Sequence, residues 1–396
     1  MPSNYLTDDP IQGQIDLDDK FITDAWLVDQ FVGGALFSWG YNAKGLLGNG
    51  TTISYSSPIQ VGSLTNWKQL SCGGQYSQAA IKTDGTLWTC GYNGSGQLGN
   101  GSISARSSPI PVGLLTNWKQ VSISATTQYV AAIKTDGTLW TWGGNSSGAL
   151  GNGTVTNYSS PIQVGSLTNW KQVSAGQAAA AIKTDGTLWM WGQNNTGQLG
   201  NGTTINYSSP VQIGSLTNWK QVSCGISYTV AIKTDGTLWT WGQGAYGGLG
   251  NGTTINYSSP IQIGSLTNWK QVSAGFYNFV GAIKTDGTLW TWGNNGDSGA
   301  SAGGVLGNGT VNTYYSSPIQ IGSLTSWKQV DCGSLTMGAI KTDGTLWMWG
   351  WNTYGGQLGN GTIVNYSSPI QIGLLTNWKR ISCGYVTSAI TFKDIG

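Results

Sequence analysis

Histidine and glutamate are both absent from this 396-residue chain, and only 9% of its residues carry charge. The usual general bases of enzyme chemistry are therefore missing, and all 16 acidic residues are aspartates. No serine sits in a nucleophile elbow and no phosphate-binding loop motif occurs. Apolar runs are short, well under the roughly eighteen residues a membrane-spanning helix needs, so no membrane span is expected. A basic region followed by an apolar stretch is also lacking at the N-terminus, so no ordinary secretory signal is visible. These absences predict a protein with no catalytic residues, no cofactor and no metal.

Cysteine is scarce too, with five residues: Cys72, Cys90, Cys224, Cys332 and Cys383. Four of them occupy one repeated position, Ser/Asp-Cys-Gly, where other copies carry Ile123, Ala175 or Ala274. A cysteine that exchanges with alanine behaves as a small buried apolar residue. Structural thiols are expected, with neither a disulfide framework nor metal-ligand spacing.

What the chain has in abundance is glycine (62), tryptophan (21) and tyrosine (17), together with Asn, Ser, Thr and Gln that keep it polar. The tryptophans of Trp-Lys recur at 67, 118, 170, 219, 269, 327 and 378, a period near fifty residues. Leu-Gly-Asn-Gly recurs in step, from Leu47 to Leu358, and so does Ser-Ser-Pro. That period reads as one four-stranded sheet per repeat, and radial repetition of such sheets is a β-propeller. Within a repeat, "NWKQVSCG" is the first strand and "AAIK" the second. "TDG" is a hairpin turn, because Asp-Gly tolerates positive φ. "TLWTWG" is the third strand and "PIQVG" a short fourth, its proline suited to a strand start or sheet edge.

"KTDGTLW" occurs only six times. The missing half-copy is divided between the chain ends: "GALFSWG" from Gly34 matches "GTLWTCG" from Gly85, and "SAITFKD" near the C-terminus supplies the strand before it. The fold expected is an all-β, seven-bladed propeller over 33–396, its ring closed by pairing strand 33–40 with strand 388–394. One Trp-Lys and up to two further tryptophans per repeat would fill the wedges between sheets, each burying roughly 150–250 Å².

Repeats of the form "WKQVSCG … AIKTDGTLWTWG … GQLGNG" resemble the RCC1 (regulator of chromosome condensation) repeat, a seven-bladed propeller. The resemblance covers 33–396. One departure is that the family usually has a histidine after the glycine of the first strand; here Gln75, Gln177, Tyr228 and Tyr277 stand nearby.

Comparison among the copies separates constant from changing segments. "KTDGTLW" is invariant and "GSLTNWKQV" nearly so, whereas the segments after Ser-Cys/Ala-Gly and after Trp-Gly differ in every copy. In an antiparallel meander those two changing connections leave the same end of each blade, so they share one face. That face is expected to be the recognition surface, because Gly-Ser-Leu-Thr-Asn has no strict turn requirement that would hold it constant. Its aromatics are Tyr76, Tyr92, Tyr129, Tyr228, Tyr246, Phe276, Tyr277, Phe279, Trp351, Tyr354 and Tyr385. Rigid aromatics among Ser, Gly, Asn and Gln make the composition of a paratope, and one equally suited to sugar rings. Charge there is sparse: Lys44, Asp297, Asp331 and Arg106. Residues 33–396 carry a net charge of +8, but the lysines of Lys-Thr-Asp adjoin the turn aspartates. A solvated rim is expected of them, and no specific nucleic-acid binding.

Residues 1–32 differ in character, with seven aspartates against Lys20. Apolar residues cluster from Leu17 to Val32, several three to four apart, which suits a short amphipathic helix. This acidic leader is expected either to strap onto the propeller or to anchor it through Phe21, Trp26, Leu27 and Phe31, to a partner or to copies of itself. An acidic leader feeding Asn/Gly/Trp-rich repeats resembles proteins encoded by marine bacteriophages. The resemblance implies a virion-surface adhesin, released by cell lysis, that docks on a virion structural protein and binds a host-surface glycan or protein. The alternatives are an intracellular protein-binding propeller, as an exchange factor or enzyme inhibitor, placed in the cytoplasm, and a passive virion decoration.

Overall fold

The computed structural model describes residues 33–73, 77–124, 126–296, 303–384 and 387–393, the last stretch by its backbone alone. Phe21, Trp26, Leu27, Phe31, Tyr76 and Tyr385 lie outside the described residues, as does Asp297.

Six four-stranded antiparallel sheets each form from one continuous stretch of chain. The first takes Trp67–Gly73, Ser77–Lys82, Leu87–Gly91 and Arg106–Pro111 in sheet order, and five more begin at Trp118, Trp170, Trp219, Trp269 and Trp327. A further sheet draws on both ends of the chain. Ala35–Gly40 pairs with Tyr55–Gln60 on one side and Thr387–Lys393 on the other, and the latter pairs with Trp378–Ser382. Its register sets Leu36 opposite Phe392 and Trp39 opposite Ala389. The molecule is an all-β propeller.

Hydrogen bonds between successive first strands show that these strands line the axis. Gln221 Nε2 donates to Val272 O at 3.0 Å, and Val272 N donates back to Gln221 Oε1 at 3.1 Å. One side-chain amide thus bridges to the neighbouring blade's backbone, and Gln69, Gln120, Gln172, Gln271 and Gln329 do likewise. Two residues on, a serine accepts the next blade's N–H: Ser71 from Ile123, Ser122 from Ala175, Ser174 from Cys224, Ser223 from Ala274, all at 3.0 Å. The series continues from Asp331 to Cys383 and from Ser382 to Cys72.

The hydrophobic cores lie between blades. Tyr129, Ile133, Leu139 and Leu150 from one repeat pack with Trp170, Val173, Ala179 and Trp191 of the next. The second tryptophan of each third strand is fully buried and donates its indole N–H to the preceding repeat's loop, as Trp191 Nε1 does to Ala149 O at 2.8 Å. In the first blade Cys90 takes this place, its thiol directed at Leu46 O at 3.6 Å. All five cysteines are buried, and burial pushes the thiols of Cys90 and Cys224 up to about 12.

Three expectations need correction. The fourth strand begins three or four residues before the proline, at a tyrosine as in Tyr158–Gln163 or, in the first sheet, at Arg106. The proline is tolerated inside the strand because the strand is the sheet's outer edge and its register shifts there, between Tyr158 and Ile162. The Lys-Thr-Asp lysines do not form a solvated rim. Lys183 is buried with its ammonium 3.8 Å from the Trp189 ring centroid and 5.0 Å from that of Trp170, a cation–π contact with two edge-to-face rings that recurs at Lys82, Lys134, Lys233, Lys284 and Lys341. Burial lowers the Lys183 amine from its ordinary range, with Asp185 pulling the other way. The third correction concerns the constant turns. Thr83 N donates to Asn66 O at 2.8 Å and Trp118 N to Gly85 O at 3.0 Å, so each Thr-Asp-Gly turn is bonded to the connections on both sides of it. A Cβ on Gly85 would fall 2.0 Å from Thr116 O. This interlocking fixes the backbone path of Gly-Ser-Leu-Thr-Asn and imposes a strict requirement for the glycine of Thr-Asp-Gly.

Asp331 stands where the other junctions have serine. It accepts from Cys383 N at 2.6 Å and Ser273 Oγ at 3.1 Å. Burial nevertheless raises its carboxyl from 3.8 to about 7, overriding those hydrogen bonds. Between these two pH values the folded chain holds a proton that the unfolded chain has released. The contribution of Asp331 to stability is thus most favourable below about pH 4, falls as pH rises to about 7, and stays at the lower level above. Asp331→Ser should remove that slope and raise stability at pH 8 by up to about 4 kcal/mol, at about 1.4 kcal/mol per pH unit. Urea midpoints of both proteins at pH 4 and pH 8 check this; parallel pH dependences would refute it.

Candidate functional site

The two changing connections meet at one end of the propeller. Ser95 Oγ, in a third-to-fourth connection, donates to Gln128 Oε1 in the next blade's first-to-second connection at 2.7 Å. Thr196 Oγ1 reaches Ser227 O at 2.8 Å, and Asn278 Nδ2 reaches Gln243 Oε1 at 3.0 Å. This face is built from hydrogen-bonded loops on a rigid frame.

The frame under each loop is a buried asparagine. Asn194 Oδ1 accepts from Leu199 N at 2.9 Å while its Nδ2 donates to Thr203 O and Ile205 O, both at 3.0 Å. Asn42, Asn93, Asn145 and Asn352 bond in the same way, and Asn295 keeps the Leu306 N and Thr310 O contacts. The loops that change in sequence thus share a constant core. The exception is Gly244, whose loop makes a single 3-10 turn with Tyr246 at φ 56°.

The predicted aromatics divide sharply. Tyr354 is 47% exposed, Tyr246 39% and Tyr277 38%, while Tyr92, Phe276 and Trp351 are half-buried. Tyr129, Tyr228 and Phe279 are fully buried and cannot contact a ligand. Each opens a second strand opposite the glycine of Trp-Gly, at Gly143, Gly242 and Gly293. The missing side chain leaves room for a ring at the blade interface. There Tyr228 Oη donates to Gly275 O at 3.0 Å and Tyr129 Oη to Ala178 O at 3.3 Å. Asp331 likewise belongs to the inner ring of junctions and not to the loop surface, whereas Lys44 and Arg106 are exposed.

One cluster brings exposed rings together. Tyr354 packs against Trp351 with centroids 5.6 Å apart at 30°, and against Tyr41 at 5.0 Å and 45°. Tyr41 belongs to the loop after Ala35–Gly40, so the cluster bridges the sixth blade and the sheet built from both chain ends. Tyr41 was not among the predicted residues. The signal that finds it is position, since Tyr41, Tyr92 and Trp351 each directly follow the glycine that ends a third strand. Among the described residues no group of three His, Cys, Asp or Glu could hold a metal, and no helix is long and apolar enough to cross a membrane. The face offers flat rings, neutral amides and hydroxyls.

The opposite face displays leucines from the constant connections. Leu64, Leu167, Leu216, Leu266 and Leu324 are 46–48% exposed, and Leu114 and Leu374 are 95% and 92% exposed.

Comparison with known proteins gives a consistent family signal. The model of the regulator of chromosome condensation (RCC1) repeat matches residues 33–80, 84–133, 136–181, 185–232, 235–280 and 343–390. A second RCC1-repeat model matches 219–247, 269–298 and 327–355. Over 138 residues the chain is 33% identical to the mitochondrial RCC1 domain-containing protein RUG3 of Arabidopsis thaliana, covering 34% of this chain and 31% of that one. Over 134 residues it is 35% identical to the human probable E3 ubiquitin-protein ligase HERC3, covering 33% of this chain and 13% of that one. The match thus spans less than a third of either relative. Among solved structures, human WBSCR16 aligns with a TM-score of 0.80 at 20% identity, covering 91% of this chain and 99% of that chain. Prp20p of Saccharomyces cerevisiae, described with its binding properties to Gsp1p and histones, aligns at 0.80 and 18%, covering 94% and 95%. At such identities the likeness is one of fold.

Proposed function

The chain belongs to the RCC1-repeat family, and on that premise we propose that it is a non-enzymatic recognition propeller that binds its ligand through the face of changing loops. The observation carrying this reading is the set of exposed tyrosines, Tyr246, Tyr277 and Tyr354, held on hydrogen-bonded loops in a neutral polar setting. Rigid rings cost little conformational entropy to order, and neutral amides adapt to a partner's polar groups. A fold hosts many functions, so the site carries the proposal.

The ring behind that face is taken as closed and seven-bladed. Closure is supported by the pairing of Ala35–Gly40 with Thr387–Lys393, by the Cys383 N to Asp331 contact and by the 3.0 Å hydrogen bond from Cys72 N to Ser382 Oγ. The chain enters the first described strand at Gly33, against Asn66 and Thr83 of the constant turns. A leader anchored there leaves the opposite face open to a ligand.

The narrower reading is a phage virion adhesin, docked through residues 1–32 on a virion structural protein and binding a host-surface glycan or protein. It rests on the leader's composition, whereas the relatives named above are eukaryotic. Substituting Tyr246, Tyr277 and Tyr354 together by alanine should abolish binding to a glycan array and to intact cells while leaving the melting midpoint within a few degrees of the parent. Undiminished binding would sink the proposal. The second reading is a protein-binding propeller inside a cell, favoured by the exposed leucines of the constant face and by the fold shared with Prp20p. Under it, replacing Leu64, Leu167 and Leu216 by serine would abolish binding and the tyrosine variant would not.

A further inference from the structure

We infer that Trp351, Tyr354 and Tyr41 form a stacking site for a neutral pyranose glycan at the boundary between the sixth blade and the sheet built from both chain ends. This deepens the recognition reading above and rests on it, because it assigns one place and one ligand class to the changing-loop face.

Four observations converge. First, the rings of Trp351 and Tyr354 lie within 30° of parallel at 5.6 Å, and Tyr41 extends the strip at 5.0 Å. The C–H bonds on one side of a pyranose carry slight positive charge and settle on the negative face of an aromatic ring. Three adjoining rings, tilted by 30° and 45° to one another, offer more than one such face, so a chain of sugars can engage more of the cluster than a single sugar can.

Second, aromatics at this position are confined to one sector. The residue after the third-strand glycine is Trp351, Tyr41 and Tyr92 in three consecutive repeats around the ring, and Gly144, Gln193, Gln243 and Asn294 in the other four. A packing requirement of the fold would recur in every repeat, as the buried asparagine nearly does.

Third, the loop is built to present the rings. It is one residue longer than its counterpart at Asn194–Leu199, with Leu358 N bonding Asn352 Oδ1 six positions back instead of five. Gly355, at φ 118°, lies against Tyr41, where a Cβ would come within 3.0 Å of its backbone. The longer loop also changes its glutamine. In the shorter loops Gln97 Oε1 accepts Ser95 N and Gln198 Oε1 accepts Thr196 N, but both polar atoms of buried Gln357 lack a partner, as does the buried Trp351 Nε1. A small shift of this loop under a bound sugar would let these groups gain hydrogen bonds that the closed loop does not make.

Fourth, among the described residues the surroundings are nearly uncharged. Lys44 is exposed in the Tyr41 loop, and Thr353 is exposed between the two rings of the longer loop. A neutral, hydroxyl-rich ligand fits such a rim better than an acidic peptide would.

The test uses the full chain and four probes: methyl β-glucopyranoside, methyl β-galactopyranoside and the β-linked linear tetrasaccharide of each. Saturation-transfer NMR should show contact from protein aromatics to the sugar ring protons, with the tetrasaccharide binding at least tenfold more tightly than its monosaccharide. Tyr354→Ala and Trp351→Ala should each weaken the tetrasaccharide at least tenfold, and Tyr354→Phe should retain it, since stacking needs the ring and not the hydroxyl. Gln262→Ala, on the exposed outer-edge strand Tyr257–Gln262, should change nothing. If the parent binds a tetrasaccharide and Tyr277→Ala abolishes it while Tyr354→Ala does not, this site is overturned and the recognition face stands. Absence of transfer to all four probes, with cell binding intact and insensitive to Tyr354→Ala, also overturns the site alone. Loss of neither saccharide nor cell binding in the triple tyrosine variant overturns both.

Discussion

Deleting residues 387–396 is expected to cost about 5–10 kcal/mol of stability and to make the chain aggregate. The strand removed is Thr387–Lys393, which pairs with Ala35–Gly40 across six residue pairs and with Trp378–Ser382 on its other side. At about 0.5–1.5 kcal/mol net per lost hydrogen bond, the backbone ladder alone accounts for much of that figure. Two strand edges would then be bare, and unpaired edges template association with other chains. In an open repeat array, losing half a terminal unit frays only its neighbour. In a closed ring the same loss removes one of the junctions holding every blade in place. Denaturation of the truncated chain should therefore shift as a whole, with a lower urea midpoint reported equally by intrinsic tryptophan and by amide exchange in distant blades such as Leu188–Gly192. A truncated chain with unchanged midpoint and unchanged solubility would show that the ring is not held by this pairing.

The second large effect is expected at Trp191→Ala, with a loss of about 4–6 kcal/mol. Trp191 is fully buried between two blades and sits edge-on to Trp170 at 6.4 Å. Its indole donates to Ala149 O at 2.8 Å, so truncation leaves a cavity and strands a buried acceptor. Removing a buried tryptophan typically costs about 3–5 kcal/mol, and an unsatisfied buried carbonyl about 1–3 more, part of it recovered by relaxation. Trp191→Phe keeps most of the volume and should cost about half as much. Trp189→Ala, at the half-buried first tryptophan of the same strand, should fall between them, because Lys183 loses the nearer of its two rings. Urea midpoints of the three variants rank the effects. Equal losses at Trp191→Ala and Trp191→Phe would contradict the packing argument.

Much of the architecture was legible in the sequence because the repeat states it several times over. Asp-Gly fixes a hairpin, the strands alternate around it, and the period near fifty leaves room for one sheet per repeat. What was not legible depended on which side of a sheet a residue faces. Tyr129, Tyr228 and Phe279 lie in a segment that changes from copy to copy, and change was read as exposure. They change because each fills the space beside a glycine at a blade junction, where Ala178 and Ser77 serve in other copies. The constant turns misled in the opposite sense. Gly-Ser-Leu-Thr-Asn was read as free of any strict turn requirement, but its backbone path is fixed by the bonds of Thr83 to Asn66 and Trp118 to Gly85. The Lys-Thr-Asp lysines were placed in solvent by their charge, whereas the tryptophans two strands wide around them supply a favourable buried site. Tyr41 escaped notice because its partners, Trp351 and Tyr354, are more than three hundred residues away in sequence. Only the pairing of the chain's two ends brings them side by side.

The central claim is that ligand binds the changing-loop face. Its most direct test is amide exchange on the full chain, free and bound to the tetrasaccharide or array glycan it takes most tightly. Protection is predicted in the loops 41–46, 92–97 and 351–357, with no change in the turns 62–66 and 83–86. Protection confined to those constant turns would contradict the account.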